Sequence, residues 1–394
     1  EQQPTAEAGA DWLRNNREKP DVAERFWPEL LGDGPLEEIP SLAVGDALET
    51  LWRVPKDHGR SRALHSRDGF LDLVERADAM EAEARAAAAA DAARHRTMTP
   101  AEREEAARAA RIPRLAPGTY IKHARYLAAV SSMLSDMQLI DYDPFTRCRF
   151  TTKQQSALRA AAGRKVRTAW DDRFDLLLAS PVFRGEMKEP GDPLFWAPLI
   201  ARLMGLRAEE CLQLRPEDFG SEGGIPYVRV RNAEGNHVKS GWSERRLPVH
   251  PQLVELGLPD LVALRERQSQ PRLFPYLERG QARGTFSAIF TKTFGYYRKT
   301  NGVYWEGLDF HALRTTFHDD LINDDGSDAV RRYLMGHAPV DEGERSYTSK
   351  LRPEKLLARI SGLRIDISKI HSPFREAAPS AAADKAHALG LRVV

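Results

Sequence analysis

Through most of this chain apolar residues return at three- and four-residue steps, the period of amphipathic helices, and only one region alternates as a strand does. Tyr120, His123, Tyr126 and Leu127, followed by Val130 and Leu134, predict a helix opening near Thr119, and Lys153–Ala162 and Val166–Ala179 predict two more. Trp196–Leu206 is strongly apolar and leads into Arg207–Leu214, together reading as buried helix. Pro226–Arg231 alternates as a strand, Glu234, Gly235 and Asn236 make a turn, and Val238–Val249 offers further strand interrupted by Gly241. The remainder to Leu363 reads as helix, and Arg375–Val394 as a polar tail.

The first 80 residues mix short apolar stretches with turn residues, as a small helical region would. Glu81–Arg111 shifts to alanine, arginine and glutamate, a helical connector in which Thr99 caps a helix with Pro100 at its first position. The expected fold class is mainly α with a small antiparallel β-sheet in the last domain. The segments are 1–111 of unassigned role, a helical domain at 112–185, a mixed α+β domain at 186–370 and a tail at 371–394.

The 394 residues, 42% hydrophobic and 29% charged with a mean hydropathy of −0.51, describe a soluble protein of two or three domains. No apolar run approaches the roughly 18 residues of a membrane span. Cys148 and Cys211 lie far apart without CxxC spacing, which predicts neither a disulfide framework nor a cysteine-built zinc site and fits the cytoplasm. Walker, HExxH and dinucleotide-binding fingerprints are missing, which argues against nucleotide hydrolysis, zinc proteolysis and hydride transfer.

The net charge of +1 hides an asymmetry: 16 basic against 23 acidic side chains in residues 1–111, 12 against 6 in 112–185, and 30 against 28 thereafter. The basic middle carries Lys122, Arg125, Arg147, Arg149, Lys153, Arg159, Arg164, Lys165 and Arg167. Such a face is either solvated helix surface or a set of phosphate contacts to nucleic acid.

Four stretches carry candidate chemistry. In Gly205-Leu206-Arg207-Ala208-Glu209-Glu210, an arginine at a helix start can aim its planar fork at a phosphate while Glu210, one turn on, steadies it; the plain alternative is a surface ion pair. In the hairpin region, Lys239 can deliver a proton to a leaving oxygen. His311 and Arg314 are three apart and share a helix face, one able to take a proton and the other always charged. Leu334-Met335-Gly336-His337 offers a tight helix exit before a histidine, and Tyr347 follows as a candidate nucleophile.

In order and spacing these stretches resemble the tyrosine recombinase (phage integrase) family, whose pattern runs Arg, Lys, HxxR, His or Trp, Tyr. Arg207, Lys239, His311 with Arg314, His337 and Tyr347 fill every slot, and GLRxxE, RRLPVHPQL, HxLRxTF and LMGH surround them. The resemblance spans about residues 115–363, with 112–185 as the core-binding domain, and does not reach 1–110. One departure is that Tyr347 lies ten positions after His337 where nine is usual, so the Asp341–Glu344 loop is longer by a residue.

The resemblance implies a site-specific recombinase or integrase of a mobile element that cuts and rejoins duplex DNA through a 3'-phosphotyrosine, without metal, ATP or other cofactor. Tyr347 would be the nucleophile, Arg207 and Arg314 the grip on the non-bridging oxygens, and Lys239 the general acid. His311 would assist proton removal, His337 would hydrogen-bond the phosphate, and Glu210 would act from behind. The implied partners are double-stranded attachment sites, a tetramer on paired sites built from monomers or weak oligomers, and an accessory directionality factor, in a bacterial cytoplasm or nucleoid. Leu356, Leu357 and Ile360 share a helix face that could dock on a neighbouring subunit or pack in cis. The competing readings are a type IB topoisomerase-like relaxase and a DNA-binding regulator with a silent site.

Overall fold

The computed structural model describes residues 18–59, 61, 63–65, 69–94, 98–162, 168–236, 238, 240–281, 284–348 and 351–374. The chain separates into two compact units, Glu1–Arg164 and Lys165–Val394. Among the described residues it is mainly helical with one small antiparallel sheet, the expected fold class.

The first unit holds α1 (Glu18–Leu31), α2 (Ser41–Arg53), α3 (Phe70–Arg94), α4 (Pro100–Ala109), α5 (Pro117–Asp136) and α6 (Thr152–Ala161). Edge-to-face contacts of Phe26 with Trp27 and Phe70, and of Trp27 with Phe145, seed its core. That core is continuous across the compositional boundary at Arg111, because Tyr120, Ile121 and Ala124 of α5 bury into the same cluster as Leu51 and Leu73. Arg114 stitches the crossing segment down, donating to Arg53 O (2.8 Å), Asp78 Oδ1 (2.6 Å) and Glu81 Oε2 (3.0 Å). The buried positions of α3, from Phe70 to Ala77, fall in its first turns; its alanine-rich remainder is mostly exposed, favoured by propensity and tied down at Glu81, which accepts from the Ile112 amide (3.2 Å) and from Arg114. The Thr99 cap takes the reciprocal form with Glu102.

The second unit holds α7 (Arg173–Leu178), α8 (Pro193–Met204), α9 (Ala208–Leu212), β1 (Phe219–Glu222), β2 (Ile225–Val230), β3 (Arg245–Pro248), α10 (Pro251–Glu255), α11 (Leu258–Arg267), α12 (Ser287–Thr300), α13 (Phe310–Asn323), α14 (Asp328–Met335), α15 (Glu342–Thr348) and α16 (Pro353–Ser361). The strands run in order β1-β2-β3, all antiparallel, with Val228 opposite Leu247 and Val230 opposite Arg245. Apolar on nearly every face, α8 is the buried centre of this unit.

Three expectations need correction. Among the described residues 168–179, the helix expected over Val166–Ala179 is confined to α7, because Trp170 is drawn onto α13 instead: its amide donates to Thr316 Oγ1 (2.7 Å) and its indole to Asp309 O (3.4 Å). Among the described residues of Val238–Val249 only β3 is strand, preceded by a 3-10 turn at Gly241–Ser243. The Arg207–Leu214 helix shrinks to α9, since Arg207 is its extended N-cap.

Candidate active site

Two glycines set the frame. Gly205 ends α8 in a left-handed turn (φ 67°), and a Cβ there would lie 2.3 Å from the Phe317 ring. Gly336 ends α14 the same way (φ 58°). Each exit turns the chain sharply, so that Arg207 follows α8 by three residues and His337 follows α14 by two. The terminal carbonyls of both exits lack helical partners and are natural acceptors for cations.

Arg314 uses them. From the second turn of α13, nearly fully buried, its guanidinium donates to Gly205 O and Met335 O, bridging the two exits, and reaches His337 Nε2 at 3.3 Å. Burial first, and then the proximity of Arg207, lowers its pKa to about 9, which leaves it charged at neutral pH. Since a guanidinium only donates, His337 Nε2 accepts and the ring proton belongs on Nδ1. Partial burial and the surrounding Arg314, Arg207, His318 and Arg331 push the His337 pKa down to about 4, so this ring is neutral at pH 7.

Arg207 is held from three directions: Nη1 donates to Glu210 Oε1 (2.6 Å) and Ser243 Oγ (3.2 Å), and Nη2 to Gly336 O (3.2 Å). Glu210 also accepts from the Arg207 amide (3.0 Å). Burial alone would raise this carboxyl, yet Arg245, Arg207 and Arg314 outweigh it and hold its pKa at about 2. Three distant stretches thus converge on one cationic pocket with a buried anion behind it.

Tyr347 stands differently. It lies on α15, an element with no buried residue, and is 41% exposed. Its hydroxyl accepts from Lys355 Nζ, and it makes no hydrogen bond to Arg207, Arg314 or His337. Polar ties fix α15: Arg332 grips Glu344 through two bonds of 2.7 and 2.9 Å, and Arg345 lies over Trp242 at 5.2 Å. His311 is exposed on the first turn of α13, whereas Arg314 one turn later is buried. Lys239 lies outside the described residues.

Of the basic set in the first unit, Lys122 and Lys153 are exposed on α5 and α6. Arg125 donates to Phe150 O (3.3 Å), Arg147 to Ser41 Oγ (3.0 Å), and Arg149 pairs with Asp143. Arg164, Lys165 and Arg167 lie outside the described residues. Leu356 and Ile360 of α16 are buried in their own unit's core, and Ile360 O meets His250 Nε2 at 3.0 Å, so this face packs in cis.

Sequence reasoning passed over Arg245, His318 and Arg331. His318 is four residues beyond Arg314 on one helix, accepts from Arg331 at 2.6 Å and lies 6.1 Å from His337 between ring centroids; the i,i+4 spacing was the available signal. For Arg245 it was strand alternation with Leu247. Among the described residues, no group of three or more His, Cys, Asp or Glu side chains could hold a metal ion, and no helix is long and apolar enough to cross a membrane.

No family model and no curated protein matches the sequence. Among solved structures, the Tn1549 transposon integrase in complex with circular intermediate DNA is 16% identical, covering 79% of this chain and 98% of its own, with a TM-score of 0.40. The integrase of mycobacterium phage Brujita is 15% identical, covering 96% and 94%, with a TM-score of 0.31. The Tn1549 integrase with transposon right-end DNA is 14% identical, covering 80% and 98%, with a TM-score of 0.38. Function is therefore read from the side chains.

Proposed function

We propose that this chain is a site-specific DNA strand transferase of the tyrosine recombinase class. The observation that carries the reading is the convergence of Arg207, Arg314 and His337 around one pocket, with Tyr347 ten positions beyond His337 on a lightly held helix. Two forked cations fit the non-bridging oxygens of a phosphodiester, and a neutral histidine with its proton on Nδ1 adds a donor without repelling them.

In this reading the Tyr347 oxygen attacks phosphorus and its proton passes to His311. The bond from phosphorus to the 5'-oxygen breaks, and Lys239 protonates that oxygen. The product is a 3'-phosphotyrosine whose bond energy allows a 5'-hydroxyl, on the same or another strand, to reverse the step. Arg207 and Arg314 neutralise charge developing on the phosphorane; loss of such a contact lowers rates by ~10²–10³. Exchange between two duplexes requires paired attachment sites and a tetramer, and an accessory factor would set direction. Exposed Lys122 and Lys153 would add backbone contacts, and affinity would fall steeply with salt.

One observation favours a second reading. The phenol is bonded to Lys355 rather than to the pocket, as in a DNA-binding protein whose site is silent. A nicked suicide duplex carrying the element's attachment site separates the two. The first reading expects a covalent adduct with the parent protein and none with Tyr347→Phe. An equal adduct in both assigns the nucleophile elsewhere, and binding without any adduct supports the second.

A further inference from the structure

The inward face of the sheet carries one residue that the site chemistry does not itself use. Arg245 opens β3 directly across from Val230, on the side that buries Val228 and Leu247, and its side chain is 1% exposed. A guanidinium on that apolar face carries a large desolvation cost unless every donor direction is met. Its Nε donates to Leu334 O (3.0 Å), Nη1 to Ser243 O (2.7 Å) and Nη2 to Glu210 Oε2 (3.0 Å).

These partners coincide with the anchors of Arg207. Glu210 binds the Arg207 guanidinium with Oε1, while its Oε2 accepts from Arg245 and from the Arg207 amide. Ser243 gives its hydroxyl to Arg207 and its carbonyl to Arg245. The third anchor, Gly336 O, belongs to a residue packed on Arg245 so closely that a Cβ would sit 2.7 Å from Arg245 Nη1. Each residue that holds the Arg207 fork is also bonded by Arg245 or packed against it.

The charges follow the same division. Glu210 alone would neutralise Arg207 in a one-to-one pair, leaving Arg314 to meet an incoming anion without help from Arg207. A second buried cation on the same carboxylate restores one net positive charge to the trio, and Arg207 is its member nearest solvent, 19% exposed against 2% for Glu210.

We propose that Arg245 is a positioning residue that orients Arg207, and preserves its positive field, through Glu210, Ser243 and Gly336. Its effect on rate rests on the strand-transfer reading above; its effect on Arg207 does not, and the two are measured apart. The first measurement needs no DNA. The side-chain guanidinium resonances of Arg207, assigned by Arg207→Lys, are followed in the parent, in Arg245→Met, in Arg245→Lys and in Leu247→Ala, a neighbouring buried truncation that matches the loss of stability. Resolved, slowly exchanging Arg207 Nη protons are expected in the parent and in Leu247→Ala, and their collapse in both Arg245 variants. Parent-like Arg207 signals in Arg245→Met, or an equal collapse in Leu247→Ala, would overturn the proposal.

The second measurement compares adduct formation on a nicked duplex bearing an ordinary scissile phosphodiester with that on one bearing a neutral methylphosphonate. Arg245→Met is expected to lose about 100-fold on the first and to come within about threefold of the parent on the second, where the charge that Arg207 neutralises is gone. An equal loss on both substrates would reduce Arg245 to scaffolding. Absence of any adduct in the parent would count against the strand-transfer reading while the resonances still decide the role of Arg245.

Discussion

The pocket of cations and the helix that bears Tyr347 are built on opposite principles. Arg314 and Glu210 are buried, each tied to more than one element, while α15 buries nothing and hangs on Glu344 and Arg345. The two constructions suit different tasks. In the strand-transfer reading, the charge that would meet a phosphate is fixed in advance and costs no reorganisation at the moment of reaction. In the same reading the nucleophile would have to approach, attack and withdraw, and Tyr347 sits on a surface element held by bonds that water can replace.

The largest break in this contrast comes from Glu210→Gln. It leaves Arg245 and Arg207 without their shared anion, and denaturant unfolding should show a loss of ~3–5 kcal/mol, the usual consequence of orphaning a buried charge. Arg314→Met should lower adduct formation by ~10²–10³, whereas Tyr347→Phe, equally severe for chemistry, should leave stability within ~0.5 kcal/mol.

Acid sharpens the same line. The pKa of Glu210 in the folded chain, about 2, lies below its ordinary 4.5, so its contribution is complete above pH 4.5 and is lost as pH falls toward 2. For His337 the folded value of about 4 lies below 6.5, so stability drains as pH falls from 6.5 to 4. Its imidazole resonances should titrate near 4, and Arg314→Met should move that midpoint upward. The smallest effect belongs to Glu344→Gln, worth under ~1 kcal/mol as a pair near the surface, yet amide exchange in α15 should rise toward that of a fraying segment while α9 and α13 stay protected.

Much of the architecture was legible where one pattern dominated. The period of α5, the Thr99 cap and the apolar α8 were read directly from their residues. β1 was not, because Phe219-Gly220-Ser221-Glu222 has no alternating apolar signal and is a strand only by pairing with β2. The helix expected before α7 gave way to a tertiary hydrogen bond from Trp170 to Thr316, which no local propensity encodes.

The site shows the same split. Arg207, Glu210, Arg314 and His337 stand next to glycines or at helical spacing, features that a linear reading sees. Arg245 looks from the sequence like one of two adjacent basic strand residues, and only the sheet's register sends it inward while Arg246 faces out. The face of α16 could have served a neighbour, but β3, α10 and the 321–324 segment supply its partners within the same unit.

In the strand-transfer reading, Tyr347 leaves Lys355 and enters the arginine pocket to capture a scissile phosphate. The most direct test of this transfer is mass spectrometry of the protein trapped on a nicked attachment-site duplex and digested with protease and nuclease. A nucleotide remnant esterified to Tyr347 is expected; the same remnant on any other residue would rule that transfer out.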